Sequence, residues 1–131
     1  MTLRMEPAEA AREVRSFVLV VLTYRCAMAE LSGTDAKYRS GAWEALEAAA
    51  PAGEADALFG YVFGFARSLL AVTERPLEWR RTYCAHLCRD EWLAVSMIDA
   101  AQRGDASGLL GAAAELVGPE ALGDALHAAQ T

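Results

Sequence analysis

The sequence is poor in cysteine and in positive charge, and each shortage excludes a class of protein. Three cysteines among 131 residues are too few, and odd in number, for a disulfide scaffold. Twelve Lys and Arg residues against eighteen Asp and Glu residues give a net charge of −6. The chain therefore lacks the positive field that attracts nucleic acid or an anionic membrane, and we expect neither as a partner.

The N-terminal part lacks the pattern of a signal peptide. Its first sixteen residues carry six charged side chains, and the apolar run Phe17–Leu22 is only six residues long, with Arg25 close behind it. Such a run is too short to span a bilayer. We therefore expect a cytoplasmic protein with reduced thiols and no membrane contact.

Familiar enzyme motifs are also missing. The sequence has no glycine-rich phosphate loop, no HExxH, no GxSxG and no ExxH pair of a di-iron bundle. Because a fold can bring catalytic partners together from distant positions, this absence weakens an enzymatic interpretation without excluding it. We predict no cofactor and favour a non-catalytic role.

What remains is an alanine- and leucine-rich chain, 54% hydrophobic, with few clusters of β-branched residues. This composition favours helices and is sufficient for one buried core. We predict a single all-α domain over residues 1–131, a compact bundle of five or six helices. The predicted helices are Pro7–Leu31, Ala42–Ala50, Glu54–Thr73, one from Cys88 to Arg103, Ala106–Val117 and Pro119–Ala129, with a polar loop at Ser32–Gly41.

Two of these helices are expected at the centre of the bundle. The long first helix is apolar on every side at Phe17–Leu22, which must be covered by its own fold or by a partner subunit. We therefore predict a homodimer or larger homo-oligomer. On Glu54–Thr73, Gly60 and Gly64 predict close approach of a neighbouring backbone or ring; alternatively, this aromatic helix shapes a ligand pocket.

The segment Trp79–Trp92 is the richest in chemistry-bearing residues. Cys84, His86 and Cys88 are candidate metal ligands. Their CxxxC spacing differs from the usual CxxC pairs of structural zinc sites, and further strong ligands are distant in sequence. Small hydrophobic cysteines packed under a loop are the favoured alternative.

Cys88 also has the pattern of a helix N-cap. Glu91, three residues later, would complete a capping box. At a helix N-terminus beside Arg89, the pKa of the Cys88 thiol would be lowered, and Cys84 would resolve its oxidised form. The sequence therefore admits a thiol-redox sensor.

The same segment carries arginine and aromatic residues of the kinds that anchor protein interfaces. The predicted interaction residues are Trp79, Arg80, Arg81, Tyr83, Arg89 and Trp92, with Arg75 nearby. We favour a non-catalytic interaction or regulatory protein of the adaptor type that binds a protein partner. The alternative is a small-molecule, metal or redox sensor that uses Cys84, His86 and Cys88.

Two arginines lie inside apolar helices, at Arg25 and Arg67. Each is expected to pair with a carboxylate, the candidates being Glu30, Asp56 and Asp99. A buried pair of this kind is more often structural than catalytic.

Overall fold

The computed structural model describes residues 7–73, 75–81 and 84–117, with side chains described from residue 17 onward. In these ranges the chain forms five α-helices and no strand, which confirms the predicted all-α bundle. The helices are α1 (Pro7–Leu31), α2 (Ala36–Ala49), α3 (Ala55–Val72), α4 (Arg89–Arg103) and α5 (Ala106–Val117). The sixth predicted helix, Pro119–Ala129, lies outside the described residues.

Helix α1 connects the parts of the bundle, because it packs against α2, α3 and α4, while α5 packs against α4. Its second half supplies the buried side chains Tyr24 and Met28 to a core shared with α3, α4 and α5. The first half contributes less. Of the six residues in Phe17–Leu22, only Val21 is buried, and Val18 is 46% exposed. Within one copy, the described residues therefore leave this run partly uncovered.

Helix α2 begins six residues earlier than the sequence predicts. The side chain of Asp35 accepts a hydrogen bond from the backbone N–H of Tyr38 at 2.8 Å, which makes Asp35 the N-cap. The predicted loop Ser32–Gly41 is therefore wrong over Ala36–Gly41, which is helical. The glycine at position 41 weakens this helix without ending it, and the helix stops just before Pro51.

Helix α3 does not show the close approach predicted at its glycines. A Cβ atom added to Gly60 or Gly64 would meet no atom of the described chain within 4 Å, apart from its own helical backbone and chain neighbours. Within the described ranges, α3 is also the one helix long and apolar enough to cross a bilayer, with a mean hydropathy of 1.4 over 18 residues. A single helix of this kind is weak evidence for a membrane span, since core helices meet the same criterion.

Helix α4 begins and ends, and helix α5 begins, at the residues that the sequence predicts. Cys88 is the N-cap of α4, and its backbone N–H donates to Oε1 of Glu91 at 3.1 Å, as predicted for a capping box. Gly104 ends α4 in the left-handed conformation, with φ of 70°. Asp105 then caps α5 by accepting the N–H of Gly108 at 2.9 Å.

Candidate functional site

Two adjacent carboxylates on the first turn of α4 hold the preceding loop, described over residues 75–81 and 84–88, in place. The first is Asp90, which is 5% exposed. Its two oxygens accept Nη1 and Nη2 of Arg75 at 2.8 and 2.6 Å, and Oδ2 also accepts the N–H of Glu78 at 2.8 Å. This bidentate pair attaches the start of the loop to the helix.

The second carboxylate, Glu91, is fully buried. It accepts Nε and Nη2 of Arg25 at 2.7 and 3.1 Å. It also accepts the backbone N–H groups of Arg80 at 3.0 Å and of Cys88 at 3.1 Å. One side chain therefore holds the middle and the end of the loop together with α1.

Arg25 completes this arrangement from α1, where it is 2% exposed. Its Nη1 donates to the carbonyl of Cys84 at 2.8 Å, and its Nη2 donates to that of His86 at 3.0 Å. The expectation that Arg25 pairs with a carboxylate is correct, but the three candidate partners were wrong. Glu91 is 66 positions away in sequence, and its place in a capping box gave no sign of a second role.

The other arginine singled out in the sequence behaves differently. The guanidinium carbon of Arg67 lies 6.0 Å from the centroid of the Phe63 ring, at the outer limit of a cation–π contact. Two of the proposed carboxylate partners have other arginines: Glu30 pairs with Arg39, and Asp99 pairs with Arg103.

The electrostatics of the two carboxylates favour a structural role. Burial acts to raise the pKa of Glu91, but the hydrogen bonds from Arg25, Arg80 and Cys88 outweigh it, and the pKa is lowered. The pKa of Asp90 is also lowered, chiefly by the hydrogen bonds from Arg75. Carboxylates held ionised by several donors are weak bases, so neither is suited to general base catalysis.

Tyr24 lies in the core close to these carboxylates and is fully buried. Its hydroxyl has no hydrogen-bond partner in the part of the chain that the structure describes. Burial, and then the negative charges of Glu91 and Asp90, raise the pKa of this phenol, so it stays neutral.

The Cys88 thiol does not have the character predicted for the reactive member of a redox pair. Cys88 is buried, its Sγ donates to the carbonyl of Glu78 at 3.4 Å, and burial raises the pKa of the thiol. The predicted lowering of this pKa is therefore wrong. Arg89, expected to stabilise the thiolate, instead pairs with Glu115 on α5.

The structure does not bring the predicted metal ligands together. Cys84 is exposed, and its Sγ donates to the carbonyl of His86 at 3.4 Å, whereas Cys88 is buried beneath the loop. Across residues 7–73, 75–81 and 84–117, no group of three or more His, Cys, Asp or Glu side chains is placed to hold a metal ion. The metal hypothesis for Cys84, His86 and Cys88 therefore gains no support.

The predicted interaction residues separate into two places. Arg80 and Arg81 are exposed on the anchored loop, where Trp79 is half-buried with its ring 6.3 Å from that of Tyr38. Tyr83 lies outside the described residues.

The second place is the start of α4, where Arg89 is exposed. Trp92 is 50% exposed, and its ring packs against Phe17 of α1 at 5.9 Å between centroids. It also borders an open depression of about 520 Å³ formed with residues 85–89.

A pocket lies between α1, α2 and α3. The sequence predicts only the wall that α3 contributes. The pocket has a volume of about 360 Å³ and is lined by Cys26, Glu30, Arg39, Trp43, Phe59 and Phe63. The aromatic rings contact one another, with centroids 5.4 Å apart for Trp43 and Phe59 and 5.3 Å apart for Phe59 and Phe63. The aromatic pattern of α3 pointed to this pocket, whereas the residues from α1 and α2 carried no signal in the sequence.

Comparisons of the chain with protein-family models, with curated proteins and with solved structures find no match.

Proposed function

We propose that this protein is a non-catalytic interaction protein of the cytoplasm that works as a homodimer. The observation that carries the proposal is an apolar surface shared by α1 and α4. There Val18 is 46% exposed and Trp92 is 50% exposed, with the Trp92 ring resting on Phe17. We place α1 and the start of α4 at the contact between the two copies.

A second copy of the chain is the occupant that best fits this surface. The run Phe17–Leu22 contains no polar residue, and five of its six side chains remain in contact with solvent. Surfaces that are covered only transiently keep a more polar character, whereas permanent homodimer interfaces are the most apolar. A permanent, self-complementary contact around a two-fold axis would cover the run in both copies.

The anchored loop supports recognition of a further protein partner. Its backbone is fixed by Asp90, Glu91 and Arg25, so Arg80 and Arg81 project from a rigid base. A loop whose backbone is already fixed loses less entropy on binding than a mobile one, which favours its use at an interface. The side chains that would contact the partner are Trp79, Arg80 and Arg81.

The cysteines support a cytoplasmic location, because the three free thiols suit a reducing compartment.

Sedimentation velocity over a protein concentration range of about 1–50 µM, where specific dimers persist, tests the homodimer. We expect a species of twice the 14.1 kDa chain mass. Val18→Glu places a charge in the proposed contact and should weaken self-association at least about tenfold. Leu110→Gln, at a residue of similar exposure on α5, is the matched control and should leave association unchanged.

A monomer throughout this range would refute the homodimer. A dimer that Val18→Glu leaves intact would place the contact elsewhere and would refute the role of this surface. Circular dichroism of each variant confirms that the helices are retained.

A further inference from the structure

The pocket between α1, α2 and α3 has the composition of a small-molecule site. Its walls are the rings of Trp43, Phe59 and Phe63, and a single cation, Arg39, stands among the lining residues. Ligand sites of small molecules are commonly apolar clefts of this kind with a few polar groups that fix the orientation of the ligand. The thiol of Cys26 adds a further apolar contact, because burial raises its pKa to about 11 and keeps it neutral.

Arg39 has hydrogen-bonding capacity that the described residues do not use. Its Nε is shielded from solvent yet has no acceptor in the described chain. Its Nη1 reaches Oε1 of Glu30 at 3.3 Å, which is long for a charge-assisted bond. Both members of this pair are partly exposed, so Glu30 is free to turn towards solvent.

We propose that this pocket binds a small aromatic carboxylate, with its ring against Trp43 and Phe59 and its carboxylate on the guanidinium of Arg39. The guanidinium edge is planar and matches a carboxylate through two parallel hydrogen bonds. The ligand carboxylate takes the place of Glu30 at Nη1 of Arg39, and Glu30 moves into solvent.

The size of the pocket sets the size of the ligand. A volume of about 360 Å³ equals the space of roughly a dozen water molecules in the liquid. One aromatic ring system with a short acid side chain fits within this space. The facing rings favour an aromatic body over an aliphatic one, because they can meet it edge to face.

Isothermal titration calorimetry of the full chain with phenylacetate and indole-3-acetate tests the proposal. For ligands of this size we expect a dissociation constant between about 10 µM and 1 mM. Acetate has the charge without the ring, and phenylacetamide has the ring without the charge. Each should bind at least about tenfold more weakly than phenylacetate.

Two substitutions with opposite effects separate a binding role from a structural one. Arg39→Gln should weaken binding about tenfold or more, because the carboxylate loses its partner. Glu30→Gln should strengthen binding several-fold, because it removes a competing carboxylate. Arg103→Gln and Glu115→Gln make the same charge changes in exposed ion pairs elsewhere and should leave affinity unchanged.

A second readout locates the ligand. Cys26 lines the pocket, whereas Cys84 is exposed on the loop. Saturating ligand should slow alkylation of Cys26 several-fold, as measured by peptide mass spectrometry, and should leave that of Cys84 unchanged.

Each contrary result overturns the proposal in a defined way. No saturable binding of either acid up to about 5 mM would remove the site. Equal binding of phenylacetamide, or no effect of Arg39→Gln, would exclude the carboxylate contact. Unchanged labelling of Cys26 would place the ligand outside this pocket. None of these outcomes bears on the homodimer, whose proposed contact uses Val18 and Trp92.

Discussion

Replacing Glu91 by glutamine should lower the free energy of unfolding of this protein more than any comparable substitution at its surface. The substitution keeps the size of the side chain but removes its charge. Arg25, which is 2% exposed, would then be a buried cation without its carboxylate. Removing one partner of a buried ion pair costs about 3–5 kcal/mol, mostly because the remaining charge is left uncompensated.

The geometry places the Glu91→Gln effect near the lower end of that range. The glutamine oxygen can still accept one of the backbone N–H groups of Arg80 and Cys88, which now bond to separate oxygens of Glu91. Arg25 also keeps its bonds to the carbonyls of Cys84 and His86. We therefore expect a loss of about 3 kcal/mol, a large share of the roughly 5–15 kcal/mol that stabilises a domain.

Urea unfolding followed by circular dichroism measures this loss. With a slope of about 1.5–2 kcal/mol per molar, the transition midpoint should fall by about 1.5–2 M. Glu115→Gln is the matched control, because its pair with Arg89 is more than half exposed on both sides and should contribute less than about 1 kcal/mol. Replacing both Arg25 and Glu91 by leucine should restore part of the stability, since neither charge of this pair is then left buried alone.

A loss below about 1 kcal/mol for Glu91→Gln would refute this reasoning, since it would mean that Arg25 is not held by the carboxylate. Hydrogen exchange provides a local check. The amide protons of Arg80 and Cys88 should exchange more rapidly in the variant, while those of α5 follow only the global loss of stability.

Three further predictions concern the rest of the chain. Because the pKa of Asp90 is lowered in the folded state, the unfolded state takes up the Asp90 proton first as the pH falls. The stability that this carboxylate provides is therefore complete above about pH 5 and is lost as the pH falls through the folded pKa. The acid limb of a pH–stability curve should be shallower in Asp90→Asn, and an unchanged limb would contradict the assignment. Iodoacetamide should label Cys84 first and Cys26 only slowly at pH 8, as peptide mass spectrometry would show, because Cys84 is exposed whereas burial raises the pKa of Cys26 to about 11. Gly60→Ala should raise the free energy of unfolding by up to about 1 kcal/mol, because a Cβ meets open space there. Gly104→Ala should lower the free energy of unfolding by about 1 kcal/mol, because Gly104 has a φ of 70°. A destabilising Gly60→Ala would indicate that another part of the protein packs on this face of α3.

Local patterns predicted most of the helices because their signals lie within a few residues of one another. The capping box of Cys88 and Glu91 and the start of α5 at Ala106 are short-range features, and both lie where the sequence predicts them. The predicted start of α2 is six residues too late. Asp35 is a good N-cap that begins the helix earlier, and the glycine at position 41 does not interrupt it.

The site was less predictable because its contacts join distant parts of the chain. Cys88 at a helix N-terminus beside Arg89 is a pattern typical of a reactive thiol, but reactivity also depends on burial and on what faces the sulfur. The tertiary fold buries this thiol and places the Glu91 carboxylate near it, and both effects raise its pKa. The pocket residues Glu30 and Arg39 come from two helices, and their pairing depends on the angle between those helices.

The distance between Arg25 and Glu91 along the chain also has a consequence for how the protein is made. Glu91 lies 66 positions after Arg25, and the ribosome needs about 3–13 s to reach it at roughly 5–20 residues per second. During that interval α2 and α3 are synthesised before Glu91, so Arg25 does not yet have the carboxylate that neutralises it in the fold. Burial of Arg25 therefore waits for the first turn of α4, which is synthesised after the three helices that precede it.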